Sequence, residues 1–294
     1  MKKIIVGIGE ILWDVFPNRK ILGGAPANFA YHASQFGFEG YAVSAIGKDS
    51  PGDEILANLA EKSLNYIIER TDYPTGTVQV TLNSAGVPQY EICEGVAWDY
   101  IPMNSKMEKL AKETKAVTFG SLAQRNAVSR ETINRFLDLL PEDAFRIFDI
   151  NLRQHYYTKE LIEQYLLKCN ILKINEEEVA AVCALFGWTD LSESAFCQKI
   201  LSDYRLRLVI LTRGTEGSFV FTPYETSFQE TPKVEVADTV GAGDSFTGAF
   251  VAALLHGLSI REAHLLAVKV SAYVCTQHGA MPKLPVAFFE NMKK

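Results

Sequence analysis

The sequence predicts an α/β fold built around a doubly wound, mostly parallel sheet, and three patterns support this prediction. Five short, nearly all-apolar runs end in Gly or Asn, as expected of strands that are buried on both faces. Helical patterns lie between these runs, so strands and helices alternate along the chain. One further segment alternates polar and apolar residues, which predicts an antiparallel hairpin. A doubly wound sheet binds its ligands beyond the carboxyl ends of its strands.

The predicted elements follow one another in a regular order. The strands are predicted at "KKIIVGIG" (2–9), "AVTFG" (116–120), "FRIFDIN" (145–151), "CNILKIN" (169–175) and "RLVILTRG" (207–214). The helices are predicted at about 26–36, 51–62, 128–140, 159–167, 176–186, 192–203, 242–256 and 260–278. The hairpin is predicted at 75–93, around an Asn-Ser-Ala-Gly turn. We expect 11–22 and 75–100 to form a small lid within a single domain that spans residues 1–294.

Composition limits the class of protein and its partners. With 294 residues, of which 48% are hydrophobic, the chain can bury one large core. The net charge is −6 and the basic residues are scattered, which argues against nucleic-acid binding. No run is apolar enough for a membrane span, and Glu10 and Asp14 interrupt the first apolar run before a signal sequence is complete. Five cysteines without a CxxC pair predict neither a disulfide framework nor a zinc site, so we expect a cytoplasmic protein.

The stretch "DTVGAGDSFTGA" (238–249) places two glycines and an aspartate at the start of a predicted helix. A helix that begins near Ala242 would leave the amides of Ala242, Gly243 and Asp244 unpaired, and such amides bind anions such as phosphate. A carboxylate at the same place would repel phosphate unless it faced a second reactant. Asp244 therefore suits a general base that takes a proton from a hydroxyl attacking phosphorus. The alternative is that Asp244 only caps the helix.

Two long segments resemble the signatures of a known family. The stretch at 238–249 resembles the C-terminal signature of the PfkB (ribokinase-like) carbohydrate kinases, and "GGAPANFAYHASQFGFEGYAVSAIG" (23–47) is similar to their N-terminal signature. Fructokinase-like segments are "GEILWDVFP" (9–17), "YEICEGVAWDYI" (90–101), "FDINLR" (148–153), "NEEE" (175–178) and "LTRGTEGS" (211–218). The resemblance implies a three-layer α/β/α sandwich with a mostly parallel central sheet and a small β-sheet lid.

The resemblance also implies a function, namely ATP-dependent phosphorylation of a sugar hydroxyl. Fructose, phosphorylated at O6 or O1, is the acceptor that we expect. Kinases of 2-keto-3-deoxygluconate, ribose or nucleosides remain alternatives within the family. A nucleotide-binding sensor without turnover is the alternative from another class.

Residue roles can be carried over from the family to the matching positions. The sugar would contact Asp14, Gly23, Gly24, Asn28 and Arg153. The backbone of Gly241, Ala242 and Gly243 would form the anion hole beside the base Asp244. ATP would pass Asn175, Thr212, Gly214, Gly217 and Gly279. Glu178 would hold Mg²⁺ through water, and Asp238 would help to hold a monovalent cation such as K⁺.

The hairpin predicts an apolar face that needs a partner. Val78, Val80 and Leu82 would share this face with Tyr90 and Ile92, and an isolated hairpin is marginal in water. The resemblance implies that two lids pack together in a homodimer. The alternative is a monomer whose hairpin packs entirely on its own sheet.

Overall fold

The computed structural model describes residues 3–82 and 88–289, except for the side chains of Thr81, Leu82, Pro88 and Gln89. The strands are β1 (Ile4–Ile8), β2 (Leu12–Phe16), β3 (Arg19–Gly23), β4 (Glu39–Gly47), β5 (Asn65–Thr71), β6 (Gly76–Leu82), β7 (Pro88–Ile92), β8 (Thr114–Phe119), β9 (Phe145–Asp149), β10 (Ile171–Asn175), β11 (Leu208–Thr212), β12 (Ser218–Phe221) and β13 (Thr226–Gln229). The helices are α1 (Ala25–Ser34), α2 (Ser50–Glu61), α3 (Ser105–Glu113), α4 (Ala127–Asp138), α5 (Lys159–Lys168), α6 (Glu176–Phe186), α7 (Glu193–Asp203), α8 (Ala242–Leu255) and α9 (Ile260–Cys275).

Nine strands form the central sheet, in the order β13-β12-β11-β10-β9-β8-β1-β4-β5. The seven strands from β11 to β5 in this order pair in parallel, whereas β12 and β13 add an antiparallel edge. The prediction of a mostly parallel sheet is therefore confirmed. Strand β1 lies inside the sheet and all five of its residues are buried, which explains its unbroken apolar sequence.

Helices cover both faces of the central sheet. Ile4, Val6 and Ile8 belong to one hydrophobic cluster, while Ile5 belongs to a second one, because successive side chains of a strand point to opposite faces. The first cluster contains residues of α3 to α7, and the second contains residues of α1, α2, α8 and α9. This arrangement is the predicted three-layer sandwich.

A separate four-stranded sheet has the order β3-β2-β6-β7. Strands β6 and β7 pair antiparallel, with Val80 opposite Tyr90, so the predicted hairpin is confirmed as far as the strands are described. Its predicted Asn-Ser-Ala-Gly turn lies outside the described residues. Strands β2 and β3 fall close to the predicted range of 11–22, and β2 pairs in parallel with β6. That this sheet acts as a lid remains a prediction.

The apolar face of the hairpin is covered within the single chain. Val78, Val80 and Ile92 are all buried in the first hydrophobic cluster, whereas Tyr90 is 58% exposed. The side chain of Leu82 lies outside the described part. These three residues thus need no second chain to cover them. Our argument that this apolar face needs a dimer partner is therefore wrong for Val78, Val80 and Ile92. The lid-to-lid homodimer stays a prediction that rests on the resemblance alone.

Helix α9 differs from its predicted extent of 260–278, because it ends at Cys275. The hydroxyl of Thr276 donates to the carbonyl of Tyr273 at the helix end, and Gly279 follows with a φ of 77°. The predicted extent is therefore too long by three polar residues, Thr276, Gln277 and His278. No helix within the described ranges is both long and apolar enough to cross a membrane.

Candidate active site

Polar side chains collect where neighbouring parallel strands end. Asp149 is the last residue of β9, and Asn175 is the last residue of β10. Thr212 ends β11, and Glu10 lies two residues beyond the end of β1. Because the carboxyl ends of parallel strands meet at one edge of the sheet, these groups define the edge where a ligand is expected.

Helix α8 begins beside this edge, after Gly241. The φ of Gly241 is 78°, and a Cβ atom there would lie 2.7 Å from the carbonyl oxygen of Ala280, so only glycine fits. Within the described chain, the amides of Gly243 and Asp244 make no hydrogen bond. The amide of Ala242 donates to the carbonyl of Thr239 at 3.2 Å, so our prediction that this amide is free is wrong. A tight turn before the helix uses that amide.

Asp244 does not cap helix α8. The N-cap residue is Gly241, and no side chain caps the helix start. Instead, the Nδ2 atom of Asn28 donates to Oδ2 of Asp244 at 2.8 Å. Burial and the nearby charge of Asp149 raise the pKa of Asp244 from 3.8 to about 6, although Asn28, Lys173 and Arg153 act against the rise. Asp244 is therefore mostly ionised at neutral pH and placed to accept a proton.

Asn28 brings α1 next to α8. Helix α1 begins after Gly24, whose φ is 123°, and a Cβ atom at Gly24 would lie 2.6 Å from the carbonyl oxygen of Glu10. The Oδ1 atom of Asn28 is buried and has no hydrogen-bond partner among the described residues. The structure thus brings together Asn28 and Asp244, which lie 216 positions apart, and leaves one amide oxygen free for a ligand.

Asp14 lies on the small sheet, against Gly23 of the neighbouring strand. A Cβ atom at Gly23 would lie 2.7 Å from Oδ2 of Asp14, so the absence of a side chain makes room for this carboxylate. Burial raises the pKa of Asp14 to about 6, and the positive charge of Arg153 limits the rise. A partly buried carboxylate near a cation suits a partner that donates hydrogen bonds, such as a hydroxyl.

Arg153 is carried by a loop with an unusual backbone. Asn151 and Gln154 have φ angles of 41° and 47°, which non-glycine residues seldom adopt. The Nε2 atom of Gln154 donates to the carbonyl of Tyr90 on β7 at 2.9 Å. The positive charge of Arg153 opposes the rise in pKa of Glu10, Asp14 and Asp244, so this side chain lies near enough to act on all three carboxyl groups.

Sequence analysis missed the ion pair between Lys173 and Asp149. These residues are neighbours in register on β10 and β9, and Nζ of Lys173 lies 3.1 Å from Oδ1 of Asp149. A Cβ atom at Gly243 would lie 2.9 Å from the same Nζ atom, so the ammonium group lies beneath the start of α8. The sequence feature that could have indicated this ion pair is the lysine within the otherwise apolar run "ILKI".

The predicted pair of Asn175 and Glu178 forms a capping box at the start of α6. The Oδ1 atom of Asn175 accepts the amide of Glu178 at 2.8 Å, and Oε2 of Glu178 accepts the amide of Asn175 at 3.0 Å. The amide of Leu152 donates to Oε1 of Glu178 at 2.9 Å. Each carboxylate oxygen thus keeps one acceptor position, which is enough for a water molecule.

The remaining predicted residues lie on turns next to these elements. Gly214 and Gly217 have φ angles of 48° and 109° in the turn after β11. Asp238 accepts the amide of Val240 at 3.0 Å and that of Gly279 at 3.2 Å. The structure therefore places Asp238 and Gly279 together, near Gly241.

A cavity lies beneath Asp244. It is lined by Glu10, Asp149, Asp244 and other side chains. In the ranges that the structure covers, no group of three or more His, Cys, Asp or Glu side chains is arranged to hold a metal ion.

Comparisons with known proteins identify the family and the fold of this chain. Residues 10–287 match the pfkB family carbohydrate kinases. The ATP-dependent 6-phosphofructokinase of Thermoanaerobacterium thermosaccharolyticum is 29% identical over 96% of this chain and 90% of its own length. The fold is similar to the fructokinase of Xylella fastidiosa with bound ATP, with a TM-score of 0.85 and 20% identity over 99% of this chain and 98% of that one.

A second solved structure has the same fold. The fructokinase of Vibrio cholerae O395, in its fructose-, ADP- and calcium-bound form, gives a TM-score of 0.80 and 22% identity over 100% of this chain and 99% of that one. The ribokinase-like fold is therefore shown by structure, and the family by the match over nearly the whole sequence. The chain belongs to the pfkB family of carbohydrate kinases.

Proposed function

We propose that this sugar kinase transfers the γ-phosphoryl group of ATP to a hydroxyl of fructose, with Asp244 as the general base. The observation that carries the proposal is the position of Asp244. It lies at the start of α8, beside two free amides, and Asn28 holds its carboxylate. Transfer of a phosphoryl group to a hydroxyl requires a base next to an anion-binding site.

The acceptor sugar would lie between the small sheet and α1. Asp14 would accept hydrogen bonds from sugar hydroxyls, and the unpartnered Oδ1 of Asn28 would accept another. Gly23 and Gly24 let the sugar approach the backbone closely. Arg153 would contact the sugar or the phosphate in transfer. The fructose-bound relative from Vibrio cholerae supports fructose as the acceptor.

The transfer itself would depend on the start of α8. Asp244 would remove the proton from the acceptor hydroxyl as its oxygen attacks the γ-phosphorus. The amides of Gly243 and Asp244, with the dipole of α8, would stabilise the negative charge of the phosphoryl group in transfer. Lys173 lies beneath these amides and would add positive charge at the same place.

The nucleotide would lie along the ends of β10 and β11. We assign Asn175, Thr212, Gly214, Gly217 and Gly279 to ATP. Glu178 keeps acceptor positions for a water molecule, so it fits a hydrated Mg²⁺ better than a directly bound ion. When bound, Mg²⁺ would neutralise charge on the ATP phosphates. Asp238 remains our candidate for a K⁺ ligand.

One specific observation favours a second acceptor. The relative from Thermoanaerobacterium is a 6-phosphofructokinase, and Arg153 offers a positive charge to a phosphorylated sugar. A coupled assay of ADP release should therefore compare fructose, fructose 6-phosphate, 2-keto-3-deoxygluconate, ribose and adenosine. The proposal predicts the highest kcat/KM for fructose. A higher value for any other acceptor would reassign the substrate, and ADP release that no acceptor stimulates would contradict the kinase assignment.

A further inference from the structure

Glu10 is a buried carboxyl group for which the proposed reaction has no role so far. It follows β1 and is 4% exposed. Its Oε2 atom has no hydrogen-bond partner in the part of the chain that the structure describes. Burying an unpaired polar atom costs stability, so a native protein that keeps one there usually has a reason for it.

Glu10 and Asp244 line the same cavity. Asp149, Thr118 and Thr247 add polar groups to its wall. A water-sized molecule fits in this cavity, and several polar groups in its wall are suitable partners for water. Both carboxyl groups therefore border the same space, which water can enter.

The charges around Glu10 favour a proton there. Burial raises the pKa of Glu10 to about 7, and the negative charges of Asp244 on α8 and Asp149 on β9 add to the rise. A hydrogen bond from its own backbone and the charge of Arg153 after β9 act in the opposite direction. The negative charge of ionised Asp244 therefore favours a proton on Glu10.

We propose that Glu10 is a second proton acceptor. It takes the proton of the acceptor hydroxyl from Asp244, through water in the shared cavity. This inference rests on the proposed function. The O–H bond of the sugar breaks as its oxygen bonds to the γ-phosphorus and the bond from that phosphorus to ADP breaks. The proton passes first to Asp244, then by way of water to Glu10, and leaves for solvent when products depart. Glu10 itself contacts no reacting atom, because it acts through Asp244.

The first test is the pH dependence of kcat at saturating ATP and sugar. In the wild type both carboxyl groups must be ionised, so kcat should fall about tenfold per pH unit between pH 7 and 6 and up to a hundredfold per unit below. Glu10→Gln keeps the shape of the side chain and removes the acceptor. This variant should lower the maximal kcat, reached at high pH, about tenfold or more. Its kcat should then fall only below pH 6.

A matched control is Glu262→Gln, which makes the same chemical change in the exposed capping box of α9. The control should keep the wild-type profile. If Glu10→Gln also keeps the wild-type plateau and both steps of the fall, the proposal is overturned.

A second test needs only the wild type, in case Glu10→Gln does not fold. A pH-indicator dye in a single-turnover experiment at pH 7.5 follows the proton, while rapid quench follows the sugar phosphate. The proposal predicts that proton release lags behind phosphoryl transfer and coincides with product release. Simultaneous proton release and transfer would overturn it. A wild type that phosphorylates none of the sugars would instead refute the proposed function, and the role of Glu10 with it.

Discussion

Asp244→Asn should lower activity but raise stability. The ionised carboxylate serves as the base, and its burial costs stability. The folded protein raises the pKa of Asp244 from 3.8 to about 6, which means that it disfavours the ionised form. This cost is absent below pH 3.8, grows as the pH rises through 3.8 to 6, and is complete above pH 6. A shift of about two pKa units corresponds to about 3 kcal/mol.

The neutral variant avoids this cost and can still accept the hydrogen bond of Asn28 through its amide oxygen. We therefore expect Asp244→Asn to unfold in urea with a free energy up to about 3 kcal/mol higher than the wild type at pH 7.5, and with a smaller gain at pH 4.5. Its kcat should fall about 10²-fold or more, because the base is lost, while ATP binding changes only a few-fold.

The control for this experiment is Asp138→Asn, which neutralises an exposed carboxylate paired with Lys168. It should change stability by less than about 0.5 kcal/mol at either pH and leave kcat unchanged. Near-wild-type turnover of Asp244→Asn would refute its role as the base. A loss of stability at pH 7.5 would refute the reasoning about its burial.

The remaining predictions concern the sugar and the start of α8. Asp14→Ala should raise KM for the sugar far more than KM for ATP, and an equal rise in steady-state kinetics would count against sugar contact. Gly241→Ala should destabilise the protein by more than about 2 kcal/mol in urea unfolding, because its Cβ would strike the backbone of Ala280 at a positive φ. Gly243→Ala, whose Cβ would meet only the end of Lys173, should cost less stability but raise KM for ATP; the opposite order of stabilities would contradict the geometry. Replacing K⁺ with tetramethylammonium should lower kcat if a monovalent cation binds, and no change would exclude that role.

The fold could be predicted largely from local patterns. Strands buried on both faces read as apolar runs, so β1, β8, β9, β10 and β11 were identified from sequence. Strands β4 and β5 were not identified. Tyr66 and Glu69 on β5 are exposed or half-buried, as expected at a sheet edge, so this strand has no unbroken apolar run. Its pairing with β4 depends on contacts distant in sequence.

The candidate site could be predicted where a role depends on residue type within a motif. Asp244 is an example, although its contact with Asn28 spans 216 positions and only the folded chain shows it. Lys173 and Glu10 were missed for a physical reason. The role of a single charged residue within or after an apolar strand depends on its neighbours on other strands and helices. Those neighbours are distant in sequence, so no local pattern includes them.

Phosphorus-31 NMR of the reaction mixture tests the central claim most directly. The wild type, with ATP, Mg²⁺ and fructose, should produce equal amounts of ADP and of one sugar phosphate monoester, and Asp244→Asn should form both at least about 10²-fold more slowly. Formation of inorganic phosphate instead of a sugar phosphate, or equal rates for the two proteins, would contradict the assignment of Asp244 as the base of a fructose kinase.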